Sequence, residues 1–87
     1  MINQVILAGR IESFHEKIVD NGTNALLVII EIDNNLIPIW TRDDMAASLM
    51  DHGSLNSLIA VKAHIHMAPD GMSIIADRIS ILGEEKE

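Results

Sequence analysis

Most of the chain follows a two-residue apolar period, broken by one stretch with a helical period. Val5 to Ile11 (VILAGRI) reads as a strand, and Gly9 in its interior points to a bend or bulge. Ser13 to Val19 continues in extended form, and Asp20-Asn21-Gly22 is a strong turn signal. Ala25 to Asp33 (ALLVIIEID) is a second strand whose Leu26, Val28, Ile30 and Ile32 suit a core. Leu27 and Ile29 make its opposite face apolar too, and a strand apolar on both faces is covered on both. In a domain this small, the cover expected over Leu27 and Ile29 is a sister subunit. Asp33-Asn34-Asn35 connects tightly to a third strand, Leu36 to Trp40 (LIPIW). Pro38, lacking an amide proton, marks an edge, a bulge or an early end to pairing.

The helical stretch follows as TRDDMAASLMDHG. Thr41 is placed to cap its N-terminus, Asp43 and Asp44 sit where the helix dipole favours negative charge, and Gly53 is placed to stop it. Met45 and Leu49 share a face at i, i+4. Period two then returns in LIAVKAHIHM, with Ile59, Val61, Ala63, Ile65 and Met67 on one face and Lys62, His64 and His66 on the other. Pro69-Asp70-Gly71 is a short hairpin turn into a fifth strand, MSIIADRISIL. Strands with a single helix between the third and fourth are arranged as in an all-β, five-stranded oligonucleotide-binding (OB) barrel, whose helix plugs one end; the pattern fits other small barrels too, and the OB barrel is the leading expectation. The expected domain is 1–82, followed by a charged, unstructured end at 83–87.

Composition sharpens this picture. At 87 residues the chain is one domain, small enough to bury only about 60–65 % of its unfolded surface, so oligomerisation is a natural route to stability. Its 48 % apolar content is almost all aliphatic plus five Met, an excess that suits contact with another subunit or partner. There is no cysteine, hence no disulfide and no thiolate metal site. No signal-peptide pattern precedes the first strand, and no apolar run approaches the roughly 20 residues of a membrane span; a cytoplasmic location is expected. The formal charge is −7, and charging all four His would bring it only to −3. Binding to nucleic acid relies on Lys and Arg neutralising phosphates, so any such face must be local.

Four segments together carry a family resemblance. VILAGRI, AASLMDHGS, VKAHIH and IIADRISILG, in that order and spacing, resemble the opening strand, helix end, fourth strand and closing strand of bacterial single-stranded DNA-binding proteins. More loosely the chain is similar to the primosomal replication protein that shares their fold. The resemblance implies an OB barrel that forms a homodimer or homotetramer and acts with exposed single strands in replication, recombination or repair, alongside other replication proteins. It also implies that Trp40, at the end of the third strand, stacks on a base, and that His64 and His66 stand where the family often carries basic residues. The chain departs from the pattern at Asn34 and Leu36, which are not aromatic, in the shortened hairpin APDG, and in its GEEKE end.

Read as chemistry, Trp40 is the only large stacking surface; its alternative use is to fill a barrel end or an interface. Lys62, His64 and His66 share a face that suits phosphates, increasingly so as imidazoles gain charge below pH about 6.5. Arg10 and Arg42 are the best additional phosphate contacts, whereas Arg78 is expected to pair with nearby acids. His64 and His66 could also hold a metal, but spacing fixes no third ligand, so neither metal nor cofactor is expected. No nucleophile–base spacing or phosphate loop is present, and the chain is not expected to be an enzyme. The principal alternative is an OB module for protein interaction or oligomerisation, with little DNA affinity of its own.

Overall fold

The first strand is long because it serves two neighbours. In the computed structural model, which describes residues 2–18, 24–52 and 54–83, β1 (Val5–Ile18) pairs antiparallel with β4 (Leu58–Ala68) through residues 5–10. Through residues 10–18 it pairs with β2 (Asn24–Ile32). β2 pairs with β3 (Asn35–Arg42), helix α1 (Asp43–His52) follows, and β5 (Gly71–Gly83) pairs with β4. A parallel contact of β3 with β5 closes the barrel in the order β1-β2-β3-β5-β4. This is the five-stranded OB barrel with its helix between the third and fourth strands. The expected turn at Asp20 to Gly22 and the helix stop at Gly53 lie outside the described residues. So does the charged end, except that Gly83 belongs to β5.

Period-two patterning places the core. Ile11, Leu26, Val28, Ile30, Ile39 and Ile59 are each at most 2 % exposed, and α1 seats Leu49 against them with Met45 at its flank. The inward face of β4 ends sooner than its alternation suggests. Ile59, Val61 and Ala63 are buried, Ile65 is half-buried, and Met67 stands 70 % exposed beyond the barrel rim.

Gly9 is required by a close approach. A Cβ there would lie 2.7 Å from the Glu31 carbonyl oxygen and 2.8 Å from Ile32 Cγ1, where β1 passes from one neighbour to the other. The bulge itself falls three residues on, between Ile11 and Ser13. There the loop before β4 takes over: Ile11 N donates to Ser57 O at 2.9 Å, and Asn56 N donates to Ile11 O at 2.8 Å. At the other end of β1, the Asn3 amide extends the ladder by bonding both backbone groups of Ile65, at 2.8 and 2.9 Å.

Thr41 does not cap the helix. It lies in β3, fully buried, and its hydroxyl donates to the carbonyl of Leu26, its cross-strand partner, at 3.0 Å. A hydroxyl facing the barrel interior needs that acceptor more than the helix needs a cap.

Pro38 determines how little of β3 meets β5. Asp33 and Asn34 form a two-residue turn, both at positive φ (51° and 67°), so the hairpin closes on a hydrogen-bonded Ile32–Asn35 pair. Alternation from there makes Ile29–Pro38 and Leu27–Trp40 non-hydrogen-bonded pairs, whose backbone groups face β5. Trp40 uses them to pair with Ile75; Pro38, one rung earlier, has no N–H to offer, and pairing ends. Beyond that point an apolar groove of about 370 Å³ opens, lined by Leu36, Pro38, Trp40, Met72 and Ile74 among others.

Gly9→Ala is expected to lower stability by about 1–3 kcal/mol, because a backbone carbonyl cannot rotate aside as a side chain would. Urea unfolding measures this, and an unchanged midpoint would show that β1 and β2 separate freely at the crossing.

Candidate nucleic-acid interface

The outward positions of β2, β3, β5 and β4 form one row across the barrel wall. Leu27 stands opposite Trp40, Trp40 opposite Ile75, and Ile75 opposite His64. Trp40 is half-buried, flanked by Leu27 on one side and by the β3–β5 junction on the other. With Arg42, His66, Ser73 and Ile75 it lines a cleft of about 190 Å³. That is smaller than the roughly 300–1,000 Å³ of small-molecule sites and suits one planar ring. Three of the six residues expected to meet nucleic acid (Trp40, Arg42 and His66) therefore share one cleft.

Lys62 and His64 continue the same outer face along β4. Lys62 is the cross-strand partner of Arg78, and both side chains are exposed. Like charges directly opposite one another are unfavourable in a sheet, and an anion seated between them relieves the repulsion. Among the described side chains the one ion pair joins His64 to Asp77, so Arg78 is not paired with an acid as its sequence surroundings suggest. Arg78 is the residue of this candidate face that sequence reading assigned to an ion pair instead. Its signal was a change of phase: Ile74 and Ala76 face inward, then Ile79 does, which requires an extra residue between them. The register shift opposite Lys62 and Ala63 is that bulge.

Arg10 lies elsewhere. Its Nη1 donates to the Asn56 carbonyl at 2.9 Å, tying β1 to the loop before β4. Its β2 partner is Glu31, four residues along that strand from Leu27, or about 13 Å. Leu27 and Ile29 are half-buried and lie opposite Trp40 and Pro38, so the surface expected to meet a sister subunit is continuous with the surface expected to meet a base.

The electrostatics are local, as an acidic chain requires. Arg42, Lys62 and Arg78 are three of the six Lys and Arg residues, and they share one outer face with two of the four His and the single Trp. Among the described residues no three His, Asp or Glu side chains form a metal-binding group. No helix among them is long and apolar enough to cross a membrane.

No family model matches the chain, and no curated protein sequence matches it. Solved structures do. The mitochondrial single-stranded DNA-binding protein of S. cerevisiae superposes with a TM-score of 0.82 at 22 % identity, over 97 % of each chain. The dimeric N-terminal domain of the PriB protein of Thermoanaerobacter tencongensis gives 0.77 at 14 % identity, over 94 % of this chain and 98 % of that one. A single-stranded DNA-binding protein (SSB) domain from Synechococcus gives 0.73 at 14 % identity, over 91 % and 94 %. These are likenesses of fold: the barrel is of the type seen in single-stranded DNA-binding proteins.

With one Trp and no Tyr, intrinsic fluorescence reports on Trp40 alone. Despite the net charge of −7, iodide is expected to quench it more efficiently than caesium, because on its face the cations Arg42, Lys62 and Arg78 outnumber the one acid, Asp77. Stronger quenching by caesium would mean that the global charge dominates the face.

Proposed function

We propose that this chain binds single-stranded DNA across the outer face of β3, β5 and β4. The observation that carries the reading is the meeting of the only Trp with half of the chain's Lys and Arg residues on one face of an otherwise acidic barrel. In this reading one base stacks on Trp40 in the cleft beside Arg42 and His66. The following phosphates pass over His64 and the Lys62–Arg78 pair, whose mutual repulsion they relieve. Arg10 plays a structural part at its loop and lies off this track. The fold likeness to proteins named for single-stranded DNA binding supports the choice of ligand. A role with exposed single strands in replication, recombination or repair, in the cytoplasm and without catalysis, follows as the biological setting we assign.

One aromatic platform contributes about 1–3 kcal/mol, so affinity rests heavily on the phosphates. Three cations on a single strand predict that log affinity falls against log salt with a slope of about −2. Titration of labelled oligothymidine by fluorescence anisotropy checks both terms. Trp40→Ala should cost about 1–3 kcal/mol with the salt slope kept, and Lys62→Ala or Arg78→Ala should flatten the slope by about 0.7. If all three variants bind as the parent does, the face is wrongly assigned.

A second reading, assembly with itself or with a replication protein, is favoured by exposed apolar side chains, Ile6 at 73 % and Met72 at 63 % among them. A homodimer or homotetramer built on Leu27 and Ile29 would also cover Trp40, so on that face the two readings compete. Under the assembly reading, Leu27→Lys converts an oligomer to a monomer in sedimentation and makes Trp40 more accessible to quencher. A parent chain that sediments as a monomer removes it.

A further inference from the structure

The bulge in β5 opposite Lys62 and Ala63 adds one residue to the strand, and that residue is Asp77. In unbroken alternation, two residues in succession cannot both point outward; the bulge allows it, so Asp77 and Arg78 both reach the outer surface. Asp77 is 47 % exposed and faces His64, whose Nδ1 lies 2.9 Å from one carboxylate oxygen and 3.0 Å from the other. An ionised carboxylate only accepts, so Nδ1 carries the proton and donates. Asp77 thus places a negative charge beside the Lys62–Arg78 pair and takes up the ring nitrogen that His64 would turn toward a phosphate. The carboxylate stands as a phosphate oxygen would. Asp44 lines the neighbouring cleft with Asp77 and Arg78 but makes no ion pair with Arg78 among the described side chains.

We infer that Asp77 is an internal competitor for the phosphate backbone, holding His64 and so setting the affinity of this face below what its cations would otherwise give. The inference rests on the single-strand-binding reading and adds to it a residue that tunes affinity without touching a base. A carboxylate retained there for fold alone is a different matter: it would affect stability and leave ligand binding and its salt dependence unmoved.

The test is oligothymidine binding by the full chain, comparing the parent, Asp77→Asn, His64→Gln and the double variant, with urea unfolding recorded for each. Asp77→Asn is expected to bind about three- to tenfold more tightly at low salt, with the advantage fading as salt rises. The gain should shrink in the His64→Gln background, since the two side chains act as one unit. Asp77→Ser serves as a second removal of the charge should Asp77→Asn fold poorly. A parent that binds while both Asp77 variants bind equally or less well overturns the inference and leaves the reading beneath it standing. A gain of the same size with and without His64 also overturns it. No binding by parent and variants alike, with all of them folded, overturns both.

Discussion

The barrel is closed between β3 and β5 by one register pair, Trp40 with Ile75. Everything on the candidate face depends on that contact. It brings β3, which carries Trp40 and Arg42, beside β5 and hence one strand from the Lys62, His64 and His66 row of β4. Pro38 keeps the contact short, because the rung before Trp40 has no amide proton to give. The same proline leaves the groove between Leu36 and Met72 open, so the aromatic ring stands at the edge of a cleft. A longer parallel ladder would close the wall and leave Trp40 as one more outward side chain on a flat sheet.

Net charge and local charge act differently in this chain. A total of −7 opposes long-range attraction of a polyanion, and screening confines that effect to within about 10 Å at ordinary salt. Locally, the outer face of β3, β5 and β4 presents Arg42, Lys62 and Arg78 against Asp77. In the proposed reading the acidic remainder acts as a filter: a strand would be held where it lies over this face and repelled elsewhere. Affinity of this kind is modest and depends steeply on salt, as one stacking ring and three cations imply.

Much of the fold was legible in the sequence because the barrel wall repeats a two-residue period. The inward series Leu26, Val28, Ile30 and the helix pair Met45 and Leu49 are found where periodicity places them. Turn chemistry was equally readable at Asp33-Asn34, where both residues take the left-handed conformation. Two misreadings share one cause, a tertiary partner distant in sequence. Thr41 resembles a helix cap, yet its hydroxyl is claimed by the Leu26 carbonyl across the hairpin. Gly9 resembles a bulge, yet what requires it is the Glu31 carbonyl of the neighbouring strand. Trp40, Arg42 and His66 could be named from the sequence, but their meeting in one cleft follows from a parallel contact that no local pattern encodes. Arg78 and Asp77 were hidden by the bulge, although the shift of apolar phase between Ala76 and Ile79 recorded it.

The central claim is one of location, so the most direct measurement is a map. Backbone amide shifts followed by NMR during titration with oligothymidine at low salt locate the contact without altering any residue. The changes should concentrate at Trp40, Arg42, Lys62, His64, Ile75 and Arg78, with the outer face of β1 at Ile6, Ala8 and Arg10 left silent. Changes centred on β1, or a spectrum that does not respond, would contradict the placement of single-strand binding on the face that Trp40 and Ile75 close.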